Sequence, residues 1–157
     1  MESEQKKQII LKMLSKNEET LAKLYQTYAQ RFPRYGDFWL ELAKEEMQHA
    51  SIIENIPTKS GQLVGIREDR FDTEVLKISL DYIEEKLAQA RNEKISHKEA
   101  MTTALDIETG MLERGYFEVF QGDSSEFRQT LKLLAAETHK HTDKIRQGLA
   151  KKRWKIF

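Results

Sequence analysis

The chain contains no cysteine, and that absence removes a body of chemistry. Without thiols there are no disulfides, no thiolate metal sites and no iron–sulfur clusters. Only 7 Gly and 2 Pro interrupt the 157 residues, too few for many short strands and tight turns. Neither sign of charge is in excess: 26 Lys and Arg balance 26 Asp and Glu. A basic face for nucleic acid or an anionic membrane surface is therefore not expected. No apolar run is long enough to span a bilayer, and the opening MESEQKKQII is charged where a signal peptide would be apolar. The expectation is one soluble, cytoplasmic domain over residues 1–157, long enough to bury a core.

What is present is helix-forming sequence. Close to half the chain is Ala, Glu, Lys, Leu and Arg, the composition of long helices. Periodicity and stop signals predict five of them. The first runs from about residue 4 to Phe32, before Pro33, with a break expected near Ser15, where SKNE has the form of a capping box. The second runs from about Gly36 to Ile56, before Pro57, and PTKSGQLVGIREDR then reads as a loop. A third covers roughly Asp72–Asn92. The capping box SHKE, Ser96 to Glu99, opens a fourth that ends near QGDSS. The fifth runs from about Ser125 to Lys152. Four of the five form two hairpins, residues 4–56 and 97–152, joined by a long crossover that contains the third helix. That is an all-α fold with a standard four-helix-bundle topology.

Polar residues stand inside the apolar stripes of this bundle. At about 100° per residue, Phe38, Trp39, Leu42, Ala43, Ala50 and Ile53 fill an arc of about 140° on the second helix. Glu46 falls at about 80° within it and His49 at about 20°, while Glu45 falls just outside. On the first helix Glu18 sits amid Leu14, Leu21, Tyr25, Tyr28, Ala29 and Phe32. On the fourth, Glu108 is central among Met101, Ala104, Leu105, Met111, Leu112, Gly115 and Val119. On the fifth, Phe127, Leu131, Leu134, Ala135, Ile145 and Leu149 surround Thr138, with His141 at one edge and Glu137 further out. The third helix, with Leu76, Leu80, Ile83, Leu87 and Ala90, carries no acid in its stripe. Tyr25 and Tyr28 read as core residues close to this layer; His97 and His139 read as surface residues.

Two segments repeat. A shift of 92 positions carries LAKEEMQH, residues 42–49, onto LAAETHKH, residues 134–141, matching Glu45 with Glu137 and His49 with His141, but Glu46 with Thr138. Glu18 and Glu46 are equidistant from the turn beside Pro33, and Glu108 and Thr138 from Asp123. Each hairpin therefore brings its inward polar residues level. Burying three carboxylates in one layer without a counter-charge is very unfavourable, and no Lys or Arg lies centrally in these stripes. A multivalent cation is the natural partner, since Glu-x-x-His points a carboxylate and an imidazole along one helix face.

One Glu on each of two helices, with Glu-x-x-His on the others, resembles the ligand set of the ferritin-like di-iron carboxylate superfamily. The chain resembles its rubrerythrin-like branch over nearly its whole length. The motifs are NEETLAKLY around Glu18, ELAKEEMQHA around Glu46 and His49, ALDIETGMLERGYF around Glu108, and LLAAETHKH around His141. The resemblance implies metal ligands at Glu18, Glu46, His49, Glu108 and His141. It implies one or two iron ions, with zinc or manganese as alternatives. The activity implied is that of a non-haem iron oxidoreductase acting on peroxide or dioxygen, or of an iron-handling protein. A redox role would need an external electron donor, because the chain has no cysteine for a rubredoxin module. Thr138 departs from the pattern and leaves three carboxylates where four would neutralise two divalent ions. His141 alone reads equally as a hydrogen-bonded core histidine. The alternative function is thus a bundle with a weakened site, serving as a metal-binding or protein-interaction module without redox catalysis. The closing KKRWKIF reads as a helix end whose basic residues suit the dipole, or as a tail packed in a homodimer.

Overall fold

Pro33 ends the first helix by steric force: the residue before a proline is pushed out of the helical region, and Phe32 lies at φ −125° and ψ 72°. In this computed structural model, which describes residues 3–55, 73–113 and 125–155, helix α1 spans Ser3–Arg31. A 3₁₀ turn at Pro33–Tyr35 leads into α2, Gly36–Glu54. Asn55 closes α2, its side-chain Nδ2 donating to the Ser51 carbonyl at 2.7 Å. Helix α3 spans Thr73–Asn92, α4 His97–Glu113 and α5 Ser125–Lys155. No strand occurs among the described residues. The loop expected over residues 57–70, the QGDSS turn, Gly115, Val119 and the last two residues of KKRWKIF lie outside the described residues, as do the side chains of Leu112, Phe127 and Leu131.

Contacts fix the directions of the helices. Ser15 meets Glu54, Glu18 meets His49, and Tyr28 meets Trp39, so numbers rise on α1 as they fall on α2. The pair is antiparallel. So are α4 and α5, where Met101 lies against Gly148 and Glu108 against His141. A Cβ at Gly148 would stand 2.5 Å from the Met101 methyl, the flexible end of that side chain. The connection from α2 to α4 carries α3, which packs along α1 with Leu76, Ile83, Leu87 and Ala90 buried. Leu80 is half-buried, and Ser79 takes a buried place beside it.

Two local expectations are corrected. Helix α1 does not break at Ser15, because the Ser15 hydroxyl donates to Glu54 Oε1 at 2.7 Å across the hairpin instead of capping a new start. His97 is buried rather than on the surface. Its ring stacks on Tyr35 with centroids 3.8 Å apart, and its Nε2 accepts from Trp39 Nε1 at 2.9 Å. The SHKE box does cap α4, with the Glu99 backbone N–H donating to Ser96 Oγ at 3.1 Å. The core is built from Ile10, Leu14, Leu21, Trp39, Leu42 and Ile53 on the first hairpin, with Met101, Ala104, Leu134 and Ile145 facing them from the second. No described helix is long and apolar enough to cross a membrane.

Candidate metal centre

All five side chains singled out by periodicity meet in one layer between the two hairpins. Glu18 comes from α1, Glu46 and His49 from α2, Glu108 from α4 and His141 from α5. Their exposures are 1, 1, 3, 0 and 1 %. His49 Nδ1 lies 3.4 Å from Glu46 Oε2 and 3.8 Å from Glu18 Oε2. His141 Nδ1 lies 2.8 Å from Glu46 Oε1 and 3.4 Å from Glu108 Oε1. The two imidazoles stack, with centroids 5.5 Å apart. Glu18, Glu46 and His49 thus form one group that could hold a metal ion, and Glu46, Glu108 and His141 form another. Glu46 belongs to both.

The donor set fits a hard or borderline divalent cation. Glu18 Oε2, both oxygens of Glu46, Glu108 Oε2, and Nδ1 of His49 and His141 are buried without an aligned hydrogen bond among the described residues. Buried polar atoms are ordinarily satisfied, and leaving one unpaired costs on the order of 1–3 kcal/mol, more for a charged group. Five of these six atoms face one another as imidazole–carboxylate pairs, and an ion bound by oxygen and imidazole nitrogen would satisfy all six.

The protonation pattern of the layer follows from burial and crowding. Burial, then the neighbouring Glu46, holds the Glu18 carboxyl well above the usual carboxylate range. Burial alone would push His49 down, but the neighbouring carboxylates of Glu18 and Glu46 outweigh it and raise the imidazole to about 10. His141 behaves alike: burial lowers it, while Glu108 and Glu46 carry it up to about 11. Both shifts favour the protonated, positively charged imidazole beside Glu46 in the metal-free layer.

The surrounding side chains orient this layer. Tyr25 OH donates to Glu108 Oε1 at 2.8 Å, so one of the two core tyrosines reaches the site. Tyr28 stays in the apolar core, edge-on to Trp39. Glu45, which falls just outside the apolar arc, contacts His141 Nε2 from across the bundle. A carboxylate on that nitrogen fixes the ring and leaves Nδ1 facing the layer. Helical periodicity missed Glu45 because it measures the arc of one helix, whereas α5 reaches the flank of that arc. Thr138 is buried, its hydroxyl donating to the Leu134 carbonyl at 2.9 Å on its own helix. Glu137, read as lying further out, has a carboxylate oxygen within 4.8 Å of ring nitrogens of both His49 and His141. The pairing of Glu45 with Glu137 in the repeat was the signal that could have found both. His139 is exposed, as expected.

Compared with protein-family models, with curated proteins and with solved structures, the chain matches none.

Proposed function

We propose that the protein binds one or two divalent metal ions, iron foremost, in the buried layer between its hairpins. We place it with the ferritin-like, rubrerythrin-like bundles, as a non-haem iron protein that reacts with peroxide or dioxygen or handles iron. The observation that carries the reading is the sharing of Glu46: two ligand groups on four helices overlap at one fully buried carboxylate. In the metal-free protein the two imidazoles face this shared carboxylate, and two divalent ions would take the place of their protons.

Iron bound there would supply redox change and open coordination positions. The chain's own residues do the rest. Glu18, Glu46 and Glu108 provide the negative charge, His49 and His141 provide neutral nitrogens once their protons leave, and Glu45 holds the His141 ring. Tyr25 holds a proton on its hydroxyl beside Glu108, since burial and then that carboxylate keep its ionisation well above the usual range. Trp39, Leu42 and Ile53, all buried in the core, help to exclude water. The alternative reading, a metal-binding or protein-interaction module without redox chemistry, rests on Thr138, which adds no carboxylate to the site.

The test is elemental analysis of the protein loaded with Fe(II) under exclusion of air. The expected stoichiometry is one or two per chain, falling sharply in Glu46→Ala because that residue serves both groups. Unchanged metal content in this variant would remove Glu46 from the site and with it the reading.

A further inference from the structure

Thr138 leaves the layer one carboxylate short of the four negative charges that would balance two divalent ions. Its hydroxyl is committed to the Leu134 carbonyl, and its own carbonyl accepts from Thr142 Oγ1 at 3.0 Å. A third group of ligand atoms nevertheless converges beside it: His49, His141 and Glu137, mutually within 4.8 Å. Each histidine belongs to a different one of the two inner groups, His49 with Glu18 and His141 with Glu108, and Glu46 is common to both. A carboxylate within reach of both histidines is thus within reach of both inner groups, as Glu46 is.

Resting on the metal reading above, we infer that Glu137 would supply the fourth carboxylate of a two-ion centre, from α5 and within reach of a histidine of each inner group. The motif on α5 is then Glu-x-x-x-His, residues 137–141, in place of the Glu-x-x-His on α2. Helix geometry allows the change, since residues four apart share a face just as residues three apart do. Side chains also lean towards the helix N-terminus, so His141 leans back over the turn that begins at Glu137.

The present partner of Glu137 does not stand in the way. Lys140 Nζ lies 3.4 Å from Glu137 Oε1, but the lysine is 74 % exposed and the glutamate 24 % exposed. A solvent-screened pair between neighbours on one helix is weak, and a divalent cation outcompetes it. With Glu137 counted, Glu18, Glu46, Glu108 and Glu137 carry four negative charges, which match two divalent ions.

Titration of the whole chain with Mn(II), followed by calorimetry and by electron paramagnetic resonance, tests the assignment. Wild type is expected to bind two ions and to show the spectrum of a coupled pair. Glu137→Gln, a conservative change at a partly exposed position, should weaken the second ion by on the order of 10-fold or more and replace that spectrum with one of isolated ions. Glu41→Gln serves as control, since Glu41 is exposed and pairs with Lys144 at 2.8 Å; it should change neither readout. Two ions bound by Glu137→Gln with wild-type affinity and coupling would overturn the assignment. So would a wild type that binds one ion, a result that leaves the metal reading standing. A wild type that binds none overturns the metal reading itself.

Discussion

Glu46 touches two histidines that come from different helices, and Tyr25 donates to Glu108 from a third direction. Carboxylates thus crowd the layer, and each depends on a neighbouring imidazole or hydroxyl for a partner. Removing the Tyr25 hydroxyl should reveal that crowding. In metal-free protein, Tyr25→Phe leaves a buried carboxylate oxygen without its donor and should lower stability by about 1–3 kcal/mol. Denaturant midpoints measure it. In metal-loaded protein the loss should be smaller, because a cation then satisfies the same carboxylate. Equal losses in the two states would show that Glu108 does not face the ion.

At the scale of the helix, the Ser96 cap fixes where α4, the helix that carries Glu108, begins. Ser96→Ala removes the acceptor for the Glu99 N–H and should lower stability by roughly 1 kcal/mol, again read as a shift in denaturant midpoint. These local devices are what a sequence displays well. Pro33 places the end of α1 and the start of α2 within a residue or two, the SHKE box places the start of α4, and the 3.6-residue period turns Glu18, Glu46, His49, Glu108 and His141 inward. What periodicity does not carry is contact between helices. Ser15 looks like a start signal until Glu54 appears opposite it. His97 looks exposed at the head of α4 until Trp39 and Tyr35 close over it. Glu45 and Glu137 sit at the margins of their own stripes, and only the neighbouring hairpin makes those margins part of the site.

Taken whole, the molecule holds its halves together across a layer that carries both charge and protons. The sign of its pH dependence follows. Folding raises His49 from 6.5 to about 10 and His141 from 6.5 to about 11, so between those limits the folded chain binds more protons than the unfolded one. Their stabilising contribution is fully present below about pH 6.5 and is lost as pH rises through the folded values. Glu18, also raised on folding, acts in the same direction from its ordinary value upward. Metal must displace the imidazolium protons before nitrogen can bind, so metal affinity should climb with pH while metal-free stability falls.

Opposed trends of this kind are specific to an ion that occupies the histidine–glutamate layer, and thermal unfolding of wild type with and without Mn(II) reads them directly. Without metal, the melting temperature should fall as pH rises above about 6.5. With excess Mn(II), in the lower part of the same window, the stabilisation by bound ion should grow with pH and should be largely lost in Glu46→Ala. A metal-induced shift that is absent, independent of pH, or retained in Glu46→Ala would contradict a metal centre in this layer.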